Sequence, residues 1–178
     1  MSTITEWKEI RRTQAFKKYS RKIDEVIFEL PDGTTADFYV KAEGPASSIL
    51  GITEDRNVIL VRQFRVGPKD ILDELPGGFV DSNEDPKVAA RREFIEETGY
   101  DGEFELVGTC LDDAYSTMER HCFVARNCTK MGEPKNTATE QTEVVLVPIE
   151  DFRKRLRAGR MTDVEVGYLG LDYLGLLK

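Results

Sequence analysis

Three glutamates in the stretch Arg91-Arg92-Glu93-Phe94-Ile95-Glu96-Glu97 are spaced to share one side of a helix. At about 100° per residue, Glu93, Glu96 and Glu97 fall within one arc of roughly 100°. Val88, Phe94, Ile95 and Thr98 lie on the opposite arc, so one side can pack on a sheet while the acidic side faces out. Arg91 interrupts the apolar arc. Like charges three and four residues apart cost a helix roughly 0.2 to 0.5 kcal/mol per pair, so something cationic is expected among them. Arg92, four residues before Glu96, can neutralise one carboxylate. The charge left over suits a hard divalent cation, since Mg²⁺ takes oxygen ligands and keeps waters and substrate phosphates in its shell. A run of glutamates is also the ordinary make-up of a solvated helix face, and the neighbouring residues weigh against that reading. Glu74-Leu-Pro-Gly77-Gly78 is a tight glycine turn, and Glu84 follows six residues after Gly78. Glycines there let backbone approach a metal or phosphate that any side chain would block.

The elements that must hold these residues can be read from local signals. Asp85 can cap free amides, Pro86 suits a first helical position and Gly99 suits a left-handed ending, which predicts a helix over Pro86–Thr98. Further helices are expected over Glu150–Ala158, stopped by Gly159, and over much of Asp163–Leu177. Alternating apolar residues from Ile23 to Leu30, the turn at Pro31-Asp32-Gly33, and Ala36–Val40 spell two antiparallel strands. More strands are expected at Ser48–Thr53, Val58–Phe64, Phe104–Cys110, His121–Ala125 and Glu143–Val147. Met131–Thr142 is polar and aperiodic and reads as a mobile loop. Strands outnumber helices, so the class is α+β. The organisation expected is an N-terminal β unit over residues 1–45 and a main domain over 46–178.

Composition narrows the partners. The chain has 178 residues, a formal net charge of −8 and 40% hydrophobic residues, in the ordinary globular range. An acidic chain is repelled by nucleic-acid backbone and anionic membranes, so no nucleic-acid polymer and no membrane are expected as partners. Positive charge is concentrated at one end, in residues 1–22, where seven Lys or Arg face Glu6 and Glu9. That arm reads as a solvated strand or hairpin face, with a phosphate-binding surface as the lesser alternative. The longest uncharged stretch, Gly44–Thr53, has ten residues, short of the roughly 18 that a spanning helix needs. The first residues lack the apolar core of a secretory signal, and three cysteines at no zinc-like spacing leave the cytoplasm as the expected compartment.

Together, Gly78, Glu84, Arg92, Glu93, Phe94, Glu96, Glu97, Gly99 and Tyr100 fill every specified position of a 23-residue pattern that resembles the Nudix hydrolase signature. The resemblance implies an α/β/α sandwich around a mixed sheet. It also implies hydrolysis of a nucleoside diphosphate linked to another group, with Mg²⁺ or Mn²⁺. Carried over by position, Glu93 and Glu97 are the main metal ligands and Glu96 binds a further ion. The Gly77 carbonyl completes the shell, Arg92 orients the carboxylates, and Glu84 supports structure. Val61-Arg62-Gln63-Phe64-Arg65 followed by Glu74–Gly78 is similar to the ADP-ribose pyrophosphatase branch. There Arg65 matches an arginine on the substrate phosphates, the N-terminal strands pair two subunits into a homodimer, and aromatic residues clamp the base, which makes Trp7, Phe38 and Tyr39 candidates. A general base on a loop before a late strand matches Glu140, with Glu143 second, so the catalytic group is Glu140, Glu97 and Arg92.

One departure concerns the substrate. Asp113-Ala-Tyr115-Ser-Thr-Met-Glu119 lacks the proline of ADP-ribose-specific enzymes, and its Tyr115 resembles a feature of dinucleoside-polyphosphate hydrolases. The expected activity is Mg²⁺-dependent cleavage of ADP-ribose or another nucleoside diphosphate sugar into a nucleoside monophosphate and a sugar phosphate. The alternatives are hydrolysis of dinucleoside polyphosphates or NADH, a nucleotide-sensing module that does not hydrolyse, and an acidic interaction domain without a small-molecule site.

Overall fold

Val58-Ile59-Leu60-Val61 is apolar at four successive positions, the pattern of a strand covered on both faces, and all four side chains are fully buried. The computed structural model, which describes residues 4–138 and 140–178, shows what covers them. Strand β4 (Ala46–Thr53), β5 (Asn57–Arg65), β6 (Asp70–Glu74), β7 (Gly77–Phe79), β8 (Tyr100–Leu111), β9 (Glu119–Lys130) and β10 (Glu143–Pro148) form one sheet. Its order is β10-β5-β4-β9-β8, with β6 on β5 and β7 on β4. The β4–β9 pair is parallel and the β4–β5, β5–β10, β5–β6 and β4–β7 pairs are antiparallel, so the sheet is mixed. Helix α1 (Pro86–Thr98) packs Ala90 and Phe94 with Ile49, Ile59 and Phe123. Helices α2 (Ile149–Ala158) and α3 (Val164–Tyr173) pack Phe152, Leu156, Val166 and Leu171 with Leu50, Leu60 and Val124. Residues 49 and 50, like 59 and 60, point to opposite faces because strand side chains alternate. The result is the expected α/β/α sandwich. Phe94 meets Phe104 edge to face at 5.4 Å; truncating such a buried ring costs about 3 to 5 kcal/mol.

A separate three-stranded antiparallel sheet precedes it: β1 (Lys8–Lys18), β2 (Arg21–Glu29) and β3 (Thr35–Lys41). The chain divides into two compact units, one running up to Gly44 and taking in Leu111–Glu119, the other made of Pro45–Cys110 and Arg120–Lys178. Within the first, the Lys41 N–H donates to the Tyr115 carbonyl and the Thr117 N–H to the Lys41 carbonyl, each at 2.8 Å. These bonds hold the 111–119 segment on the end of β3. β1 is exposed along its whole length, as a charged strand reads.

α1 has the bounds its capping signals predict, but its buried side differs from the helical-wheel expectation. Ala89, Ala90, Phe94, Glu97 and Thr98 are buried, whereas Val88 is exposed and Ile95 half-buried. Arg91 turns outward to Asp101 at 2.9 and 2.5 Å. Among the described residues, no helix is long and apolar enough to cross a membrane.

Candidate functional site

Backbone geometry sets the site before any side chain does. The Asp85 carboxylate accepts the Lys87 N–H at 2.8 Å, and Gly99 at φ 71° donates its N–H to the Ile95 carbonyl at 2.9 Å. Between these caps the three glutamates face unequal surroundings: Glu97 is 7% exposed, while Glu93 and Glu96 are half-buried. Glu97 is met from below by β7, where the Gly77 N–H donates to its carboxylate at 2.8 Å. β7 can come this close because Gly77 pairs with Ser48, and a Cβ on Gly77 would lie 2.8 Å from the Ser48 Cα.

Arg92 fastens the helix to the loop before it. Its Nε and one terminal nitrogen fork onto the Glu84 carboxylate at 3.0 and 2.9 Å, with 3.2 Å to the Phe79 carbonyl. Its other terminal nitrogen reaches Glu93 at 2.6 Å and Glu96 at 3.8 Å. A planar guanidinium suits this bidentate task. The Arg92 fork and the Asp81 N–H pull the Glu84 carboxyl down to about 2. Burial acts oppositely on the ligand candidates, raising Glu93 and pushing Glu97 up to about 8. The Gly77 N–H lowers Glu97, and the charges of Glu93 and Glu140 raise it again.

A cavity of about 230 Å³ is lined by Glu93, Glu96, Glu97, Lys135, Thr137, Glu140 and Thr142. The structure thus brings Glu140 to the three helix glutamates. The Lys135 ammonium lies 3.1 Å from Glu96, a partner that a single lysine in an aperiodic stretch does not advertise. Arg65 donates its Nε to Glu74, whose carboxylate is fully buried and whose Oε1 has no hydrogen-bond partner among the described residues. The Arg65 charge also lowers Glu97. A second cavity of about 270 Å³ lies between β6 and α2, where Arg62 is paired to Asp73 at 2.7 Å and Arg160 to Asp70 at 2.5 Å. It contains none of the helix glutamates.

The remaining candidates belong to the other unit. Trp7 and Phe38 stand 5.6 Å apart, and Phe28, which the sequence reading passed over, stands 6.3 Å from Trp7 and 5.9 Å from Phe38. Tyr39 lies on the opposite side of β3, exposed, with its hydroxyl 3.4 Å from Glu25. Tyr115 is exposed within the 111–119 segment. Cys110, Cys122 and Cys128 are free thiols, and burial pushes the last two up to about 12, far from a nucleophilic thiolate.

Among the described residues, no three His, Cys, Asp or Glu side chains converge as a ready-made metal site. The fit to a hard cation rests on the donor set. One glutamate is buried against a single backbone donor, a second occupies the space a Gly78 side chain would fill, and two more share the cavity. Mg²⁺ commonly takes one or two carboxylates and completes its shell with water and phosphate, which these residues can accommodate.

The NUDIX domain family matches residues 42–164. A methanol dehydrogenase activator of Bacillus methanolicus is 30% identical over 179 residues, covering 99% of this chain and 96% of the relative. An ADP-ribose pyrophosphatase of Bacillus subtilis is 27% identical over 151 residues, covering 83% of this chain and 81% of the relative. In fold, the crystal structure of an ADP compounds hydrolase superposes with a TM-score of 0.79 at 18% identity, covering 98% of this chain and 97% of that one. Glycine turn, capped helix and clustered glutamates therefore stand inside a matched domain that fills most of the chain, which belongs to the Nudix family and is a hydrolase.

Proposed function

We propose that the protein hydrolyses the diphosphate linkage of ADP-ribose or another nucleoside diphosphate sugar with Mg²⁺ or Mn²⁺, releasing a nucleoside monophosphate and a sugar phosphate. The observation that carries this reading is that Glu93, Glu96, Glu97 and Glu140 line one cavity, with Glu97 held by the Gly77 N–H. When bound, the cation screens the diphosphate charge and makes water more acidic. In this reading Glu93 and Glu97 hold it, Glu96 holds a further ion, and the Gly77 carbonyl completes the shell. Arg92 keeps Glu93 and Glu96 aimed, Arg65 steadies the phosphates, and Glu140 takes the proton of the attacking water.

The N-terminal unit is proposed to pair two copies, a reading supported by the exposed length of β1. Trp7, Phe38, Tyr39 and Tyr115 are then the aromatic candidates for holding the base, and the enzyme is proposed to act in the cytoplasm. Purified protein with Mg²⁺ is offered ADP-ribose, UDP-glucose, GDP-mannose, NADH and diadenosine polyphosphates, with products identified by mass in ¹⁸O water. Turnover of a nucleotide sugar is expected; turnover of none overturns the reading, and preference for NADH or a dinucleotide redirects it. A second reading, activation of a methanol dehydrogenase, is favoured by the end-to-end match to the Bacillus methanolicus protein. It predicts a faster dehydrogenase when the two proteins are mixed.

A further inference from the structure

The stretch expected to be a mobile loop is tied to the last turn of α1. The terminal carbonyls of a helix have no partner within it, and here two of them are taken by the loop. The Lys135 N–H donates to the Glu96 carbonyl at 2.8 Å, and the Thr142 hydroxyl lies 3.1 Å from the Glu97 carbonyl. At the loop's start, the Met131 and Gly132 N–H groups donate to the Gly99 carbonyl at 2.8 and 3.1 Å. The segment carrying Glu140 therefore hangs from the same two residues whose carboxylates form the facing wall of the cavity.

One side chain closes the segment on itself. The Asn136 Oδ1 accepts the Thr142 N–H at 2.8 Å, and its Nδ2 donates to the Thr142 carbonyl at 3.1 Å. An amide side chain has one acceptor and one donor in this spacing, so Asn136 serves Thr142 as a neighbouring strand would. The Thr142 hydroxyl is also 3.1 Å from the Asn136 Oδ1. Inside the clasp, the Thr137 N–H donates to the Glu140 carbonyl at 2.9 Å and the Glu140 N–H to the Thr137 hydroxyl at 3.1 Å. Asn136, Thr137 and Glu140 are exposed while Thr142 is buried, so the clasp is anchored at its Thr142 end, where the hydroxyl meets the Glu97 carbonyl away from competing water.

We infer that Asn136 is a positioning residue, which by clasping Thr142 fixes the Glu140 segment against the end of α1 and sets the Glu140 carboxylate opposite Glu93 and Glu97. The inference rests on the proposed role of Glu140 as base. Positioning matters at this scale because a misplacement of about 1 Å can cost on the order of 10²-fold in rate.

Hydrogen exchange and kinetics on the full chain test it together. In Asn136→Ala, the amides of Lys135 and Thr137 keep their own acceptors, the Glu96 and Glu140 carbonyls, yet are expected to exchange about tenfold faster or more, while β4 and β5 stay protected. With the best nucleotide sugar, kcat is expected to fall 10- to 100-fold with KM within about twofold. Thr142→Val is expected to follow Asn136→Ala, and Thr142→Ser to stay near the parent rate. In a Glu140→Gln background, Asn136→Ala is expected to add less than about twofold, since the group it positions is already gone. Unchanged exchange at Lys135 and Thr137 overturns the inference. So does an equal loss of rate with and without Glu140, a Thr142→Ser enzyme as slow as Thr142→Val, or a Glu140→Gln enzyme of parental rate. If the parent cleaves none of the compounds, the substrate reading fails separately, and exchange alone decides whether Asn136 orders the segment. Should Asn136→Ala fail to fold, Asn136→Ser, whose short side chain also gives up both main-chain bonds to Thr142, carries the same comparison.

Discussion

A Cβ on Gly78 would stand 2.6 Å from both carboxylate oxygens of Glu93, so the missing side chain is what admits this glutamate to the site. Gly77, one residue earlier, is barred from a side chain by backbone instead, with the Ser48 Cα at 2.8 Å. The two neighbours therefore predict different failures. In Gly78→Ala the flexible end of Glu93 can swing aside, so kcat/KM is expected to fall by on the order of 10²-fold while the melting temperature stays within a few degrees. In Gly77→Ala the strand itself must shift, at a cost of about 2 kcal/mol, or about 5 °C in Tm for a chain of this size. Equal loss of stability in the two variants would refute the distinction.

Glu97→Gln separates the charge of the buried glutamate from its place in the fold. The glutamine oxygen can still accept the Gly77 N–H that now reaches Glu97 at 2.8 Å. A neutral group is easier to bury than a carboxylate, whose desolvation works against it. Metal-free Glu97→Gln is therefore expected to melt no lower than the parent, while turnover drops by on the order of 100-fold or more and Mn²⁺ binding, read by titration, weakens. Parental turnover with unchanged Mn²⁺ affinity would remove Glu97 from the metal shell.

The fork between Arg92 and Glu84 gives the protein an acid limb. Its carboxyl stands at about 2 when folded, against an ordinary value of 4.5. A carboxylate lowered in this way adds stability that is fully present above about pH 4.5 and is lost as pH falls toward 2. Denaturant midpoints measured between pH 6 and pH 2.5 are expected to fall less steeply for Glu84→Gln than for the parent, with the gap between the two curves constant above about pH 4.5 and closing as pH falls below it. Parallel curves across that window would show that the pair contributes nothing to folding.

How much of this could be read from residue order depends on where each element gets its information. α1 carries its own punctuation in Asp85, Pro86 and Gly99, and its bounds were legible to the residue. β6 and β7 were not, because a short polar strand and a three-residue glycine strand exist only through pairing with β5 and β4. The helical wheel placed Glu97 outside by counting apolar residues. α1 instead lies on the sheet through small residues, Ala89 and Ala90, and a backbone donor waits for Glu97 on that side. Glu140 could be picked out through its likeness to a known pattern. Lys135, Asn136 and Thr142 could not, since their bonds depend on a loop path that no periodicity encodes.

Arg65 and Glu74 offer a last test, in which stability and substrate binding can be pulled apart. Glu74 is fully buried and, among the described residues, its carboxylate is met by the Arg65 Nε while Oε1 has no hydrogen-bond partner. Removing one member of such a pair strands a buried charge and costs about 3 to 5 kcal/mol; Arg65 is 41% exposed along its side chain, so water can reach the vacated place and about 2 to 3 kcal/mol is expected for Arg65→Ala. Replacing the partner as well, in Arg65→Ala with Glu74→Leu, is expected to restore most of that loss, because an apolar residue of similar volume carries no desolvation cost. Neither variant should recover substrate affinity if Arg65 steadies the phosphates, so KM for the nucleotide sugar is expected to stay raised by tenfold or more in both. A double variant that regains both stability and KM would show that Arg65 serves only to neutralise Glu74.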